Sequence, residues 1–193
     1  MVTRRNYFDH IHIFGAPGSG VTTLGKALAE RLGFSHFDTD DYYWFTEDAL
    51  PYRRKRNPDH RRQLLQNDLE KSEAWVLSGA LCGWGDVFVP TFEFVIYLHL
   101  PLDIRLTRIR EREVQRYGAG RLDTNGDLHI VFEKFLNWAA AYDEADGPKR
   151  SRASELLWLQ KLACPVLNIS EEMPLNVLID YVFEKSQHLG HDL

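Results

Sequence analysis

The segment His10–Lys26 reads HIHIFGAPGSGVTTLGK, and its residue types follow the order strand, glycine-rich turn, helix. Ile11 and Ile13 alternate with other residues, as in a buried strand. Gly15–Gly20 supplies three glycines for a tight turn, and the apolar spacing that follows predicts a helix over Thr22–Leu32. A phosphate-binding loop requires this structural context.

The glycine turn is suited to phosphate because successive backbone N–H groups can curl around an anion at the positive end of the next helix. The pattern G-x-x-x-x-G-K-[ST] is matched at Gly15, Gly20 and Thr22, but its lysine position holds Val21. We therefore expect a nucleoside triphosphate at this loop, with Mg²⁺ on the hydroxyl of Thr22. The predicted contact residues are Gly15, Pro17, Gly18, Ser19, Gly20, Val21, Thr22 and Thr23.

A dinucleotide-binding loop is the main alternative for this segment. Asp38 and Asp40 lie about 20 residues beyond the glycines, where that fold places a ribose-binding acid. However, the spacing that begins with Gly18 and Gly20 needs a third glycine at Thr23. The phosphate-binding loop is the favoured interpretation.

The hydrophobic runs predict alternating strands and helices along the rest of the chain. Strands are predicted at Phe34–Phe37, Ala74–Leu81, Phe92–Leu100 and Cys164–Ile169. Helices are predicted at Pro58–Lys71, Pro101–Tyr117, Glu133–Tyr142, Ala153–Leu162 and Leu175–His188, with a flexible loop at Gly118–Leu128. This alternation indicates one domain over residues 1–193, with a parallel five-stranded sheet in a three-layer α/β/α fold.

The composition is that of an ordinary globular protein, with 44% hydrophobic and 26% charged residues among 193. A net charge of −5 gives no reason to expect a nucleic-acid or membrane partner. Cys82 and Cys164 match no metal-binding or redox spacing, and the N-terminus lacks the apolar core of a signal peptide. We expect a cytosolic protein, and the sequence leaves its oligomeric state open.

The loop Gly15–Thr23 resembles that of adenylate kinases and related small P-loop kinases, such as shikimate and gluconate kinases. In particular, the chain is similar to a bacterial group of adenylate-kinase-related or AAA-family ATPases. Members of that group have Thr-Thr-Leu-Gly after the loop and an Asp-Thr-Asp-Asp-Tyr-Tyr-Trp segment, here Thr22–Gly25 and Asp38–Trp44, and often lack the loop lysine. The resemblance implies a P-loop NTPase fold with a helical lid, which would cover about 117–152.

Val21 leaves the loop without the cation that reaches the β- and γ-phosphates in a P-loop. Removing one well-placed electrostatic group from such a site commonly costs about 10²–10³ in rate. Arg105, Arg108 and Arg112 recur at three- and four-residue spacing and share a helix face. The kinases that the chain resembles close arginines of this helix over the phosphates, which implies catalytic roles for Arg108 and Arg112, with Arg116 in reserve. A solvated basic face is the alternative.

The resemblance also extends to Asp38 and Asp40, which match the Asp-x-Asp of shikimate-type kinases. It implies that Asp40 binds the acceptor and acts as general base, while Asp38 belongs to the metal shell and the acceptor site. Capping of a following helix is the alternative for both. The acid that adenylate kinases carry on the next strand is replaced here by Ser78.

The acceptor side is predicted from three further features. Gly79 would let an acceptor approach the backbone closely, and Arg53, Arg54 and Arg56 can grip an acceptor phosphate or form a solvated basic loop. Aromatic residues at Tyr42–Trp44 can stack on a ring or belong to the core. The predicted function is Mg-ATP-dependent phosphoryl transfer to a nucleotide or small hydroxylated metabolite. A catalytically degenerate nucleotide-binding regulatory protein remains the alternative.

Overall fold

The computed structural model describes residues 8–45, 47, 52, 54–145 and 150–191. Its strands are β1 (His10–Gly15), β2 (Ser35–Asp38), β3 (Trp75–Ser78), β4 (Phe94–Leu98) and β5 (Val166–Ile169). Its helices are α1 (Val21–Leu32), α2 (Thr39–Tyr43), α3 (Pro58–Leu69), α4 (Leu102–Tyr117), α5 (Ala119–Leu122), α6 (His129–Ala141), α7 (Arg152–Leu159) and α8 (Leu175–His191), with a 3₁₀ turn at Asp86–Thr91.

Within the described part of the chain, the five strands form one parallel sheet in the order β2-β3-β1-β4-β5. Ser78 at the end of β3 is in register with Ile13 of β1 and with Asp38 of β2. The carboxyl ends of these three strands therefore meet at one edge of the sheet. Ligands of open α/β sheets bind at this edge.

Two apolar layers cover the sheet, as the alternation along the strands requires. Ile11 and Ile13 of β1 pack with Leu24 and Leu28 of α1 and with Val182 of α8. The opposite face is rich in aromatic residues and packs α3 and α7 against the sheet, through Phe14, Leu65, Trp75, Tyr97 and Trp158. The predicted three-layer fold with a parallel five-stranded sheet is confirmed.

The predicted strands at Ala74–Leu81, Phe92–Leu100 and Cys164–Ile169 are longer than the observed ones. Leu81 is fully buried after β3 has ended, and Phe92 is buried before β4 begins. Hydrophobic runs indicate burial, and burial extends into the turns on either side of these strands. The predicted strand at Phe34–Phe37 and the helix at Ala153–Leu162 are also shifted at their ends.

The segment Gly118–Leu128, predicted as a flexible loop, contains the short helix α5, which the sequence did not predict. The backbone N–H of Asp123 donates to the carbonyl of Ala119 at 3.0 Å, and that of Leu128 donates to Arg121 at 2.9 Å. These bonds give the segment a defined path despite its three glycines.

Helix α6 begins at His129, whereas the sequence predicts Glu133. Ile130 and Val131 in its first turn are apolar but exposed, at 67% and 41%. Because these apolar residues face solvent, the hydrophobic periodicity of the sequence does not mark this turn as the start of the helix. No helix in the described part of the chain is both long and apolar enough to cross a membrane.

Candidate active site

The loop between β1 and α1 is fixed to the neighbouring strand and helix. The N–H of Ala16 donates to the carbonyl of Leu98 at 2.9 Å, and the N–H of Leu100 donates to the Ser19 hydroxyl at 3.3 Å. Gly18 has φ +85°, and a Cβ there would lie 2.5 Å from the carbonyl oxygen of Arg105. Gly20, with φ +93°, precedes α1 without a side-chain cap. The first N–H groups of α1 are therefore available to an anion.

Thr22 connects this loop to the acidic end of β2. Its hydroxyl donates a hydrogen bond of 2.8 Å to Oδ2 of Asp38. The other oxygen of Asp38 accepts the N–H of Asp40 at 3.0 Å and caps α2. Asp38 therefore does what the capping alternative proposed, and it also faces the residue predicted to bind Mg²⁺. The structure brings these two predicted metal ligands together.

Asp40 lies in the same cleft, and its Oδ1 accepts the indole N–H of Trp44 at 3.3 Å. Solvent reaches its carboxylate, but the walls of the cleft surround it. This burial and the neighbouring charge of Asp38 raise the pKa of Asp40 to about 6, although Arg150 opposes the shift. A carboxylate with this pKa accepts a proton near neutral pH more readily than an ordinary aspartate does.

Gly79 and Ser78 form the wall beside these acids. A Cβ on Gly79 would lie 2.0 Å from the hydroxyl of Thr39, so the glycine accommodates the start of α2. Ser78 is fully buried, and its hydroxyl pairs with Nε2 of His36 at 3.0 Å. Ser78, which the sequence analysis found in place of an acid, therefore forms a hydrogen bond with His36 beneath α1.

The arginines of α4 are not equivalent. Arg105 is fully buried and is hydrogen-bonded to the carbonyl of Leu100 at 2.8 Å and to Asp143. Arg108 lies beside the loop, with Nη1 3.5 Å from the carbonyl of Ser19, and pairs with Glu172 at 2.8 Å.

Arg112 is further along α4 and pairs with Glu113 at 2.8 Å. Its guanidinium carbon lies 5.7 Å from the centre of the Phe135 ring. Of the two arginines predicted to act on phosphate, the structure therefore places Arg108 at the loop. Arg112 instead forms an ion pair with Glu113, as expected if this helix face is a solvated basic surface.

The basic segment before α3 is largely occupied by contacts within the fold. Arg56 donates to the carbonyls of Asp41, at 2.6 Å, and of Trp44 near the end of α2. The guanidinium of Arg61 stacks on the Tyr43 ring at 3.6 Å. Arg54 lies over the ring of Phe45 at 4.6 Å. Arg53 is outside the described residues.

Arg150 enters the cleft from the end of the predicted lid, and the sequence analysis did not identify it. Its Nη2 donates to the carbonyl of Gly15, the first glycine of the loop. Its Nε pairs at 2.5 Å with Glu155, which is fully buried and also accepts the hydroxyl of Tyr142. Burial is the largest influence on the pKa of Arg150 and lowers it, but the charge and hydrogen bond of Glu155, with Tyr142 and Cys82, together outweigh it and the pKa is raised.

One signal in the sequence could have drawn attention to Arg150. The segment Ser151–Ser154 forms a capping box that starts α7. A cation at a helix N-terminus is unfavourable for the helix dipole, so Arg150 and Arg152 are both unusual there, and the sequence alone does not distinguish them.

Comparison with known proteins agrees with this geometry. The family model described as "AAA domain" matches residues 11–129. The cytidylate kinase of Archaeoglobus fulgidus is 30% identical over 138 residues, which are 66% of this chain and 74% of that protein. The chain belongs to this AAA-domain family of P-loop kinases.

Two further comparisons extend the likeness over most of the chain. The uncharacterized protein YqaC of Bacillus subtilis is 45% identical over 175 residues, 91% of this chain and 96% of that protein. The shikimate kinase of Bacteroides thetaiotaomicron shares the fold, with a TM-score of 0.55 at 17% identity, over 92% of this chain and 98% of that one. The family predicted from the loop is confirmed.

Membership of the P-loop kinases removes the dinucleotide-binding alternative. The strand order 2-3-1-4-5 also differs from the 3-2-1-4-5-6 order of that fold.

The loop and the acids of this member of the P-loop kinase family are suited to a nucleotide with Mg²⁺. Gly18 lets the loop lie against the carbonyl of Arg105 in α4, and the side chains of Thr22 and Asp38 place oxygen atoms at the end of the loop. Among the residues that the structure describes, no group of three or more His, Cys, Asp or Glu is arranged to hold a metal by itself. Mg²⁺ usually needs no such group, since it keeps waters and binds one or two carboxylates together with the substrate phosphates.

Proposed function

We propose that this protein is a Mg-ATP-dependent kinase that phosphorylates a hydroxyl group of a small acceptor. The contact that carries the proposal is the hydrogen bond from Thr22 to Asp38. It joins the phosphate-binding loop to the acids at the end of β2, so donor and acceptor chemistry would meet in one cleft. The names of the relatives do not select an acceptor, because they include both cytidylate and shikimate kinases.

Each group of the loop would have a defined task. The backbone N–H groups of Gly18–Thr22 would bind the phosphates, and Thr22 and Asp38 would hold Mg²⁺ directly or through its waters. Mg²⁺ bound there would neutralise charge that develops on the phosphates. Asp40 would accept the proton of the acceptor hydroxyl as the oxygen bonds to the γ-phosphorus and the bond to the leaving ADP breaks.

A hydroxyl acceptor is favoured over a phosphate acceptor by the charges in the cleft. Asp38 and Asp40 would repel an acceptor phosphate, whereas an alcohol requires a base such as Asp40. Arg56 and Arg61, which could otherwise grip a phosphate, hold backbone carbonyls and an aromatic ring. Gly79 and Arg54 remain proposed acceptor contacts. Arg108 is proposed to act on the phosphates, and Arg112 to join it if the lid closes.

A second candidate is a nucleotide-binding regulatory protein without catalysis. Val21 favours it, because the loop lysine that assists phosphoryl transfer is missing. The two candidates share the nucleotide site and differ only in turnover.

Calorimetric titration with ATP and a non-hydrolysable analogue, with and without Mg²⁺, tests the site. We expect binding that strengthens with Mg²⁺ and weakens at least about tenfold in Gly20→Ala, because φ +93° is unfavourable for alanine and a shift of the backbone would disturb the phosphate cradle. The matched control is Gly33→Ala, which has φ +71° at the end of α1 with open space around its Cβ. Equal affinity in wild type and Gly20→Ala would reject the nucleotide site.

Acceptor type is tested by ADP release with a panel of alcohols, nucleosides and nucleoside monophosphates. The proposal expects turnover with a hydroxyl compound and loss of turnover in Asp40→Asn. Turnover only with monophosphates would reject the hydroxyl acceptor. Binding of ATP without turnover by any acceptor would favour the regulatory candidate.

A further inference from the structure

Arg150 occupies a position between the two halves of the cleft. On one side its Nη2 donates to the carbonyl of Gly15, where the phosphate-binding loop begins. On the other side its charge acts on Asp40, the proposed base. A phosphoryl group that moves from the loop to an acceptor at Asp40 would pass this guanidinium.

We propose that Arg150 supplies the loop cation that Val21 lacks. This inference rests on the proposed function, since it assigns a phosphate contact within the same site. The arginine makes no covalent bond. It would neutralise charge on the β- and γ-phosphates and stabilise the transferring group in the way that a loop lysine does.

The fold holds Arg150 in a fixed orientation. Its Nε bonds to Glu155 at 2.5 Å, and Glu155 is fully buried and accepts the hydroxyl of Tyr142. The rings of Trp138 and Tyr142 each lie 6.0 Å from the guanidinium carbon. A guanidinium has five N–H donors, and Glu155 and Gly15 engage two of them. The remaining N–H groups can make the paired bonds that guanidinium forms with phosphate.

Arg150 differs from the other cations near the loop in its contacts. Arg105 is fully buried, with bonds to Leu100, Pro17 and Asp143 on the side of α4. Arg108 pairs with Glu172, and its Nη1 lies near the carbonyl of Ser19 and beside Gly20, at the opposite end of the loop from Gly15. Unlike Arg150, neither of these arginines donates to the carbonyl of Gly15, where the loop begins.

The test measures the affinity for a non-hydrolysable ATP analogue with Mg²⁺ by calorimetry, together with turnover. Arg150→Gln alone would leave the buried Glu155 unpaired and could destabilise the fold. The main variant is therefore the neutral pair Arg150→Gln with Glu155→Gln, checked for folding by circular dichroism and thermal melting. Arg152→Gln is the matched control, because it removes an exposed arginine two residues away.

We expect the neutral pair to bind the analogue at least about tenfold more weakly, since a charge-assisted phosphate contact is lost. Turnover should fall by about 10²–10³. Arg152→Gln should behave as the wild type. Adding Val21→Lys to the neutral pair should restore the affinity, because the lysine stem can lie along the apolar surface that Val21 covers and present its charge to the loop.

Restored affinity would show that Arg150 contacts phosphate and does not act only through the structure, since a lysine at position 21 cannot repair the hydrogen bonds of Glu155. The proposal is overturned if the folded neutral pair binds the analogue as tightly as the wild type, or if Val21→Lys does not raise its affinity. If the wild type binds ATP, either of these results overturns the role of Arg150 but leaves the proposed function standing. A wild type that binds no nucleotide overturns both.

Discussion

Among single residues, Asp40, the proposed base, has an environment that lowers the stability of the fold. Burial and the charge of Asp38 raise the pKa of Asp40 to about 6, so the ionised form is less favourable in the folded protein than in the unfolded chain. Between pH 4 and 6 the folded state holds the proton while the unfolded state releases it. The free energy of unfolding therefore falls as the pH rises through this window, by the contribution of Asp40.

Replacement of Asp40 by Asn removes this contribution. We expect Asp40→Asn to melt at a higher temperature than the wild type at pH 7.5, with the difference shrinking as the pH approaches 4. Thermal melting from pH 4 to 8 measures it, and Asp180→Asn, which replaces an exposed aspartate of α8, is a control that adjusts for the loss of one charge. A melting temperature of Asp40→Asn that is below that of the wild type at pH 7.5 would contradict the assignment.

The same pKa governs the expected pH dependence of turnover. Asp40 serves as a base only when it is ionised, so kcat/KM should rise with pH through about 6 in the wild type. Higher stability with lower activity in Asp40→Asn would be the trade-off expected of a strained functional group.

At the scale of the element, the approach of α1 to the sheet depends on one glycine. Gly25 lies inside α1, and a Cβ there would be 1.9 Å from the hydroxyl oxygen of Ser78 and 3.0 Å from Nε2 of His36. Alanine usually stabilises a helix interior by about 1 kcal/mol relative to glycine. Overpacking of a fixed buried contact costs about 1–3 kcal/mol. The steric cost should prevail here.

Gly25→Ala is therefore expected to reduce the free energy of unfolding in urea denaturation. In the background of Ser78→Ala the clashing oxygen is absent, and the cost of Gly25→Ala should largely disappear. Gly120→Ala is the control for helix propensity, because Gly120 in α5 has open space where its Cβ would be. An equal cost of Gly25→Ala in both backgrounds would show that Ser78 does not set the distance between α1 and β3.

The elements themselves were largely predictable, because their signals are local. The strand, turn and helix of His10–Leu32 follow from apolar spacing and glycines, and Pro58 begins α3 as expected. Strand ends were less predictable, since Leu81 and Phe92 are buried without belonging to a strand. A hydrophobic residue indicates burial, whereas its secondary structure depends on hydrogen bonds that no single residue encodes.

At the scale of the whole molecule, the site is assembled by contacts that the sequence does not reveal. Arg150 reaches the carbonyl of Gly15 across 135 positions of the chain. The three- and four-residue spacing of Arg105, Arg108 and Arg112 predicted one shared helix face, yet these side chains end in three different environments. Long cations are positioned by the acids that face them, and two of these acids, Asp143 and Glu172, lie outside α4. Helix periodicity therefore identified the arginine face but could not assign its members.

Arg105 connects three parts of the molecule around the loop, and its removal should therefore act on global stability. It is fully buried, and it bonds to the carbonyl of Leu100 at 2.8 Å, to that of Pro17 at 3.5 Å and to Asp143. Arg105→Leu would leave these carbonyls and much of the Asp143 charge uncompensated. Breaking a buried pair in this way costs about 3–5 kcal/mol. Urea denaturation at pH 7 measures the loss.

Arg121→Gln is the control, because it breaks an exposed ion pair with Asp127 and should cost far less, since solvent screens that pair. A similar, small loss for both variants would mean that the Arg105 network positions the loop without stabilising the fold.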